Sequence, residues 1–320
     1  MTQITATSLW DHVQDRLSQQ QWPVPALYVV ATPIGNLADL SPRARYTLQK
    51  ADVIAAEDTR ATRVLLQSWH IETALISLHR HNEQARADSI LARLAAGERI
   101  ALVSDAGAPG VSDPGGYLIQ AVREAGYPIV ALPGPSAVIT TLMAFGTTTD
   151  QNPEFAFLGF LANKSGQRVR QLKPWQNWHG TLLCFAAPHR LEDSLKDLIE
   201  VFGENRPIGL ARELTKRFEE TALIPLGQAV QWLEADKHRQ QGEYVLLIPP
   251  ALPDTNAAGE QDDLTDQIDA QVLPWIDALL ETRSTRDVSR IMADILQLPK
   301  ARCYSWLHAY SESKAGQDSQ

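Results

Sequence analysis

The chain has 320 residues, 44% hydrophobic and 21% charged, with two cysteines and a formal net charge of −9. That length allows two domains with cores of their own, and the ordinary composition is that of a globular protein. No apolar stretch approaches the roughly 20 residues of a membrane span, and the negative balance argues against indiscriminate nucleic-acid binding while leaving room for a local basic patch.

Residues 1–25 read as a flexible lead-in. Trp10, Val13 and Leu17 make an amphipathic turn or two before Pro23 and Pro25 stop them. Met1 to Gln21 lacks the basic-then-apolar layout of an export signal, so the expected location is the cytoplasm. From Leu27 the chain alternates strands and helices. Leu27 to Ala31, Val53 to Ala56, Ile100 to Val103 and Ile129 to Leu132 are strands, and Ser89 to Ala96 is a helix stopped by Gly97. This βαβα rhythm predicts an α/β domain with a largely parallel sheet over 26–148. Thr147 to Pro153 reads as a hinge. A second α/β domain over 149–250 follows, with strands at 155–158, 181–185, 208–211 and 244–248 and helices at 191–201 and 229–235. Residues 251–263 read as a linker, 264–311 as a helical tail with a Ser284–Asp287 capping box, and 312–320 as disordered.

Three strands run into Gly/Pro turns, which suggests one crevice at their carboxyl ends. Pro33, Gly35 and Asn36 follow the first. Ser104, Asp105, Ala106 and Gly107 follow the second, and Pro133, Gly134, Pro135 and Ser136 the third. Each set reads either as backbone and side-chain contact with a ligand or as an ordinary turn, with Ser136 also suited to capping a helix. Glu57, Asp58 and Arg60 form a candidate catalytic cluster; the alternative is an Asp58 cap with Arg60 in solvent. Lys164, Arg168, Arg170 and Lys173, interleaved with Trp175 and Trp178, are the best RNA-binding candidates. Arg190, Arg212 and Lys216 extend them. Arg283, Arg286, Arg290, Lys300 and Arg302 of the tail are either further RNA contacts or a solvated face. Cys184 and Cys303 have neither metal-ligand spacing nor an expected disulfide, and no metal is expected.

Several motifs stand in order: Ala31-Thr32-Pro33-Ile34-Gly35-Asn36-Leu37, Ala56-Glu57-Asp58-Thr59-Arg60, His81-Asn82-Glu83, Ser104-Asp105-Ala106-Gly107, Pro133-Gly134-Pro135-Ser136, Gly159-Phe160-Leu161, Pro188-His189-Arg190 and Ala211-Arg212-Glu213-Leu214-Thr215-Lys216. Together they resemble the rRNA-modifying branch of the tetrapyrrole (corrin/porphyrin) methylase family. The resemblance implies two α/β domains with S-adenosylmethionine in the cleft between them. It also implies a homodimer, and 2′-O-methylation of a cytidine ribose in the decoding region of 16S rRNA on the small ribosomal subunit. The cofactor contacts it implies are the three turn sets above. Two departures stand out: the family's Thr and Leu are replaced by Ala108 and Gly110, and its Glu-Ser by Ala186-Ala187. They leave open a catalytically weak protein that binds cofactor and rRNA; a methylase of a small tetrapyrrole-like substrate is the other alternative.

Overall fold

The computed structural model describes residues 6–80, 82–150, 152–250, 272–296, 298 and 300–317. They fall into two compact units, one up to residue 251 and one from 252 onward. In chain order the first unit begins α1 (Ala6–Ser18), β1 (Ala26–Val30), α2 (Pro42–Lys50), β2 (Val53–Ala56), α3 (Thr59–Ser68), β3 (Leu75–Ser77), α4 (Glu83–Ala95), β4 (Arg99–Val103), α5 (Gly116–Glu124), β5 (Ile129–Leu132) and α6 (Ala137–Phe145). The first five strands form one parallel sheet in the order β3-β2-β4-β1-β5. Both faces are covered: Ala26, Tyr28 and Val30 of β1 enter one core cluster and Leu27 the opposite one, with Ile100 and Leu102 of β4. A strand buried on both sides reads as an unbroken apolar run, which is why these strands stood out in the sequence.

The unit continues with β6 (Phe155–Phe160), α7 (Ser165–Leu172), β7 (Thr181–Ala186), α8 (Leu191–Phe202), β8 (Pro207–Arg212), β9 (Glu220–Pro225), α9 (Ala229–Glu234) and β10 (Tyr244–Ile248). The second sheet is mixed, in the order β6-β7-β10-β8-β9, with only β6 and β7 parallel. Leu182 and Cys184 of β7 and Leu246 of β10 face the α8 side, while Leu183 and Leu247 face the other.

That other face corrects the expected boundary at residue 148. α6 lies before the boundary, yet its Val138 and Leu142 pack with Leu183, Ala211 and Val245 of the second sheet. A Cβ on Gly209 would stand 3.1 Å from the Phe145 ring, so strand and helix meet at close range. The helix that follows β5 of the first sheet thus packs on the second sheet, and the two sheets belong to a single unit. The lead-in is likewise more ordered than its sequence suggests: α1 spans 13 residues, buries Leu17, and receives the Trp22 indole N–H at the Leu17 carbonyl, 2.7 Å away.

The second unit has three described helices, α10 (Leu273–Thr282), α11 (Thr285–Leu296) and α12 (Lys300–Gln317), around Ile276, Val288, Met292, Cys303 and Leu307. Ser284 caps α11: its Oγ accepts the Asp287 N–H and donates to the Asp287 carboxylate at 2.6 Å. α12 runs on to Gln317, past the expected end of order at 311. The linker at 251–263 lies outside the described residues.

Candidate active site

The parallel order puts the carboxyl ends of β1 to β5 along one edge, where their turns converge. Thr32 and Gly107 exchange two backbone hydrogen bonds, 2.9 and 3.0 Å, locking the turn after β1 to the turn after β4. Gly107 has φ +77°, a conformation that costs glycine nothing. Beside this bridge lies a cleft of about 430 Å³, within the range of small-molecule sites. Ile34, Glu57, Asp105, Ala106, Gly107, Ala108, Val111, Asp113, Ser136 and Ala137 line it from the first sheet's turns. Phe160, Phe185, Ala186, Ala187, Pro188, Ala211, Leu214, Glu243, Tyr244 and Val245 line it from the second.

Glu57, Asp105 and Asp113 give the cleft a concentrated negative charge. Asp105 Oδ1 accepts the Asp58 backbone N–H at 2.9 Å. Burial holds the Glu57 carboxyl above its usual range; the charges of Asp105 and Asp113 add to this, and Arg80 opposes it. Burial also raises Asp113, against a hydrogen bond from Ser104 and the charge of Arg80. Arg80 is held by its hydrogen bond to the Ser112 carbonyl. Glu83, at the start of α4, accepts the N–H groups of Gly115 and Leu118 at 3.0 Å each and so pins the Asp113 loop to α4. His81 of the same motif lies outside the described residues.

Among the catalytic candidates only Glu57 lines the cleft. Asp58 caps α3 and binds Arg60, whose side chain is 91% exposed; that pairing lowers the Asp58 carboxyl to about 2 and commits both residues to the helix start. Of the cofactor candidates, Asp105, Ala106, Gly107 and Ser136 line the cleft, and Pro33, Gly35, Asn36, Ser104, Pro133, Gly134 and Pro135 do not. Ser104 is buried, with its hydroxyl near the carbonyls of Ala106 and Gly107 at 3.3 Å. Gly134 permits close approach to Ala31, 2.9 Å from where its Cβ would be. Gly35 is small for Lys216: a Cβ there would collide with the lysine Cγ. Asn36 Oδ1 accepts the Ala38 N–H of a short 3-10 turn. Ser136 sits at the start of α6 without a capping bond from its side chain, leaving its hydroxyl to the cleft.

The basic candidates need correction. Arg168 is 2% exposed and forms a buried ion pair with Asp197, whose other oxygen takes the Ser165 hydroxyl. Arg212 is buried too, donating to the carbonyls of Gln241 and Phe218. Neither reaches a surface where RNA would lie. Lys216 is tied to Glu213 and Glu243 at 2.9 Å each, and Arg190 to Asn163. Lys164, Arg170 and Lys173 are exposed. Trp175 and Trp178 pack edge-on, 5.5 Å apart, against the second sheet's core, so they anchor the loop.

Sequence reasoning missed Asp113, Glu213, Glu243 and Tyr244. An Asp-Pro-Gly turn hid Asp113. The signal at Glu213 is conformational: Glu213 and Thr215 have φ +50° and +66°, values uncommon for side-chain-bearing residues and frequent at functional turns. Glu213 Oε1 accepts from both Lys216 Nζ and the Glu243 N–H, which fixes this turn beside the cleft.

Residues 26–230 match the model of the tetrapyrrole (corrin/porphyrin) methylases, and the chain belongs to that family. It is 49% identical to ribosomal RNA small subunit methyltransferase I of Escherichia coli O157:H7 over 69% of this chain and 77% of that one. Identity to the protein of the same name from Vibrio cholerae is 42%, over 88% and 94%. In fold it is similar to uroporphyrin-III-C-methyltransferase from Thermus thermophilus (TM-score 0.51, 20% identity, 70% of this chain and 94% of that one). Diphthine synthase is also similar in fold (TM-score 0.56, 13%, 70% and 90%).

S-adenosylmethionine is the methyl donor of such enzymes, and the cleft suits it. Ala106, Gly107, Ala108, Ala186 and Ala187 leave the volume open, Val245 and Leu214 offer an apolar wall to a purine, and the carboxylates of Glu57, Asp105 and Asp113 suit a cationic sulfonium. Among the described residues no group of His, Cys, Asp and Glu could hold a metal ion.

Proposed function

We propose that this protein transfers a methyl group from S-adenosylmethionine to the ribose 2′-hydroxyl of a cytidine in the decoding region of 16S rRNA. The observation that carries the reading is the position of Glu57: a partly desolvated carboxylate in an acid-lined cleft of cofactor size. The names of the relatives supply the substrate class.

Bound S-adenosylmethionine would supply an electrophilic methyl group on a positively charged sulfur. Glu57 would accept the hydroxyl proton as the ribose oxygen takes the methyl group from such a donor; its raised pKa makes it a better base than an ordinary carboxylate. Asp105, Gly107 and Ser136 hold the donor, and close positioning does most of the remaining work. Lys164, Arg170 and Lys173 meet phosphates. The protein acts in the cytoplasm as a homodimer. Ile139 and Met143, one turn apart and exposed on α6, are its proposed contact.

The test is methyl transfer from labelled cofactor to small subunits from a strain lacking this gene, followed by mapping of the modified nucleotide. One 2′-O-methylcytidine in the decoding region is expected. No incorporation with cofactor binding intact overturns the reading in favour of a binding protein, and label on a tetrapyrrole instead overturns the substrate class.

A further inference from the structure

Phe160 is the most solvent-exposed large apolar side chain of the cleft wall, at 56% against 43% for Val111. Leaving an aromatic ring in water forgoes the stabilisation of burying it, and here the backbone is bent to do so. Gly159 before it has φ +71°, and the β6–β7 register shifts between Phe157 and Phe160, the signature of a bulge. Bulges beside active sites re-aim side chains. A Cβ on Gly159 would stand 3.0 Å from Ser112 Oγ, so the bent strand meets the loop that carries Asp113. The ring is braced from below: Phe185 meets Phe160 edge-on at 5.2 Å and Phe157 at 4.8 Å. Four residues on, the chain reaches exposed Lys164 at the start of α7.

We propose that Phe160 is the stacking platform for the target nucleobase, holding the acceptor nucleotide unstacked from its neighbours with its ribose toward Glu57. This rests on the RNA reading above. A base that arrives in a polymer enters from solvent and meets the exposed ring first, whereas Asp105, Gly107 and Ser136, the proposed donor contacts, lie across the cleft in the turns of the first sheet. Aromatic rings are the usual partners of splayed RNA bases because every base has a π-face, and a cation beside the ring suits the adjoining phosphate.

The test compares wild type, Phe160→Leu, Phe160→Tyr and Phe160→Trp on small subunits lacking the modification, with cofactor affinity measured by calorimetry. Phe160→Leu keeps an apolar side chain at an exposed position, so the melting temperature checks the fold. Expected are a rise in KM for subunits of about tenfold, the loss of one stacking contact, unchanged cofactor affinity, and rescue by Tyr and Trp. Wild-type KM in Phe160→Leu overturns the proposal, as does an equal loss of cofactor affinity, which would make the ring a donor contact. A wild-type protein that methylates no subunit overturns the underlying reading and this proposal with it.

Discussion

Glu57 and Asp113 are held above their ordinary pKa by burial in the cleft, and the charge of Asp105 raises both further. A raised carboxyl favours the folded state in acid, and that advantage is lost as pH rises through the folded pKa. At neutral pH both groups therefore cost stability. Glu57→Gln should lower kcat strongly yet raise the melting temperature at pH 7.5, with the difference vanishing below about pH 4. A pH series of melting curves beside activity checks this, and a loss of stability at neutral pH would contradict it. The wild-type rate should climb with pH through an apparent pKa above the common Glu value. Gly35→Ala should push Lys216 out of its pairs with Glu213 and Glu243, destabilising the chain by about 1–3 kcal/mol in denaturant titration. Glu57 was legible in the sequence because it follows an apolar run directly. Asp113 was not, because its placement depends on Glu83 holding the loop from 32 residues away.

Among the elements, α7 separates two arginines that the sequence treats alike. Arg168 faces inward to Asp197 and Arg170 faces solvent. Arg168→Ala leaves a buried carboxylate unpaired and should cost about 3–5 kcal/mol in equilibrium unfolding. Arg170→Glu should leave stability unchanged but weaken subunit binding and flatten its salt dependence, a slope measurable between 50 and 200 mM salt on the order used for phosphate contacts. Composition shows both charges; only the helix's packing against α8 decides which one water reaches. The strands tell a similar story. Buried β1, β2 and β4 announce themselves as apolar runs, and so does β5 at the sheet edge through its composition alone, while β3 has three residues and β9 is a half-exposed edge strand containing Glu220, so neither stands out.

At the scale of the whole molecule, the family motifs disclosed two sheets and a helical tail, but not that α6, which follows a strand of the first sheet, packs on the second. Its inward residues, Val138 and Leu142, and its outward ones, Ile139 and Met143, are all apolar, and only packing separates them. Replacing Ile139 and Met143 by Asp should convert the proposed dimer to monomer in sedimentation experiments without loss of helix content; an unchanged mass would place the contact elsewhere.

The two cysteines are free and buried, Cys184 in β7 of the first unit and Cys303 in α12 of the second. Burial pushes the Cys184 thiol up to about 12 and raises Cys303 as well, so neither offers a thiolate to a maleimide while its unit stays closed. The chain therefore carries one built-in reporter per unit. Timed alkylation during denaturation, read by peptide mass, would record the opening of each unit separately, with no label to engineer and no second cysteine in either unit to confuse the signal.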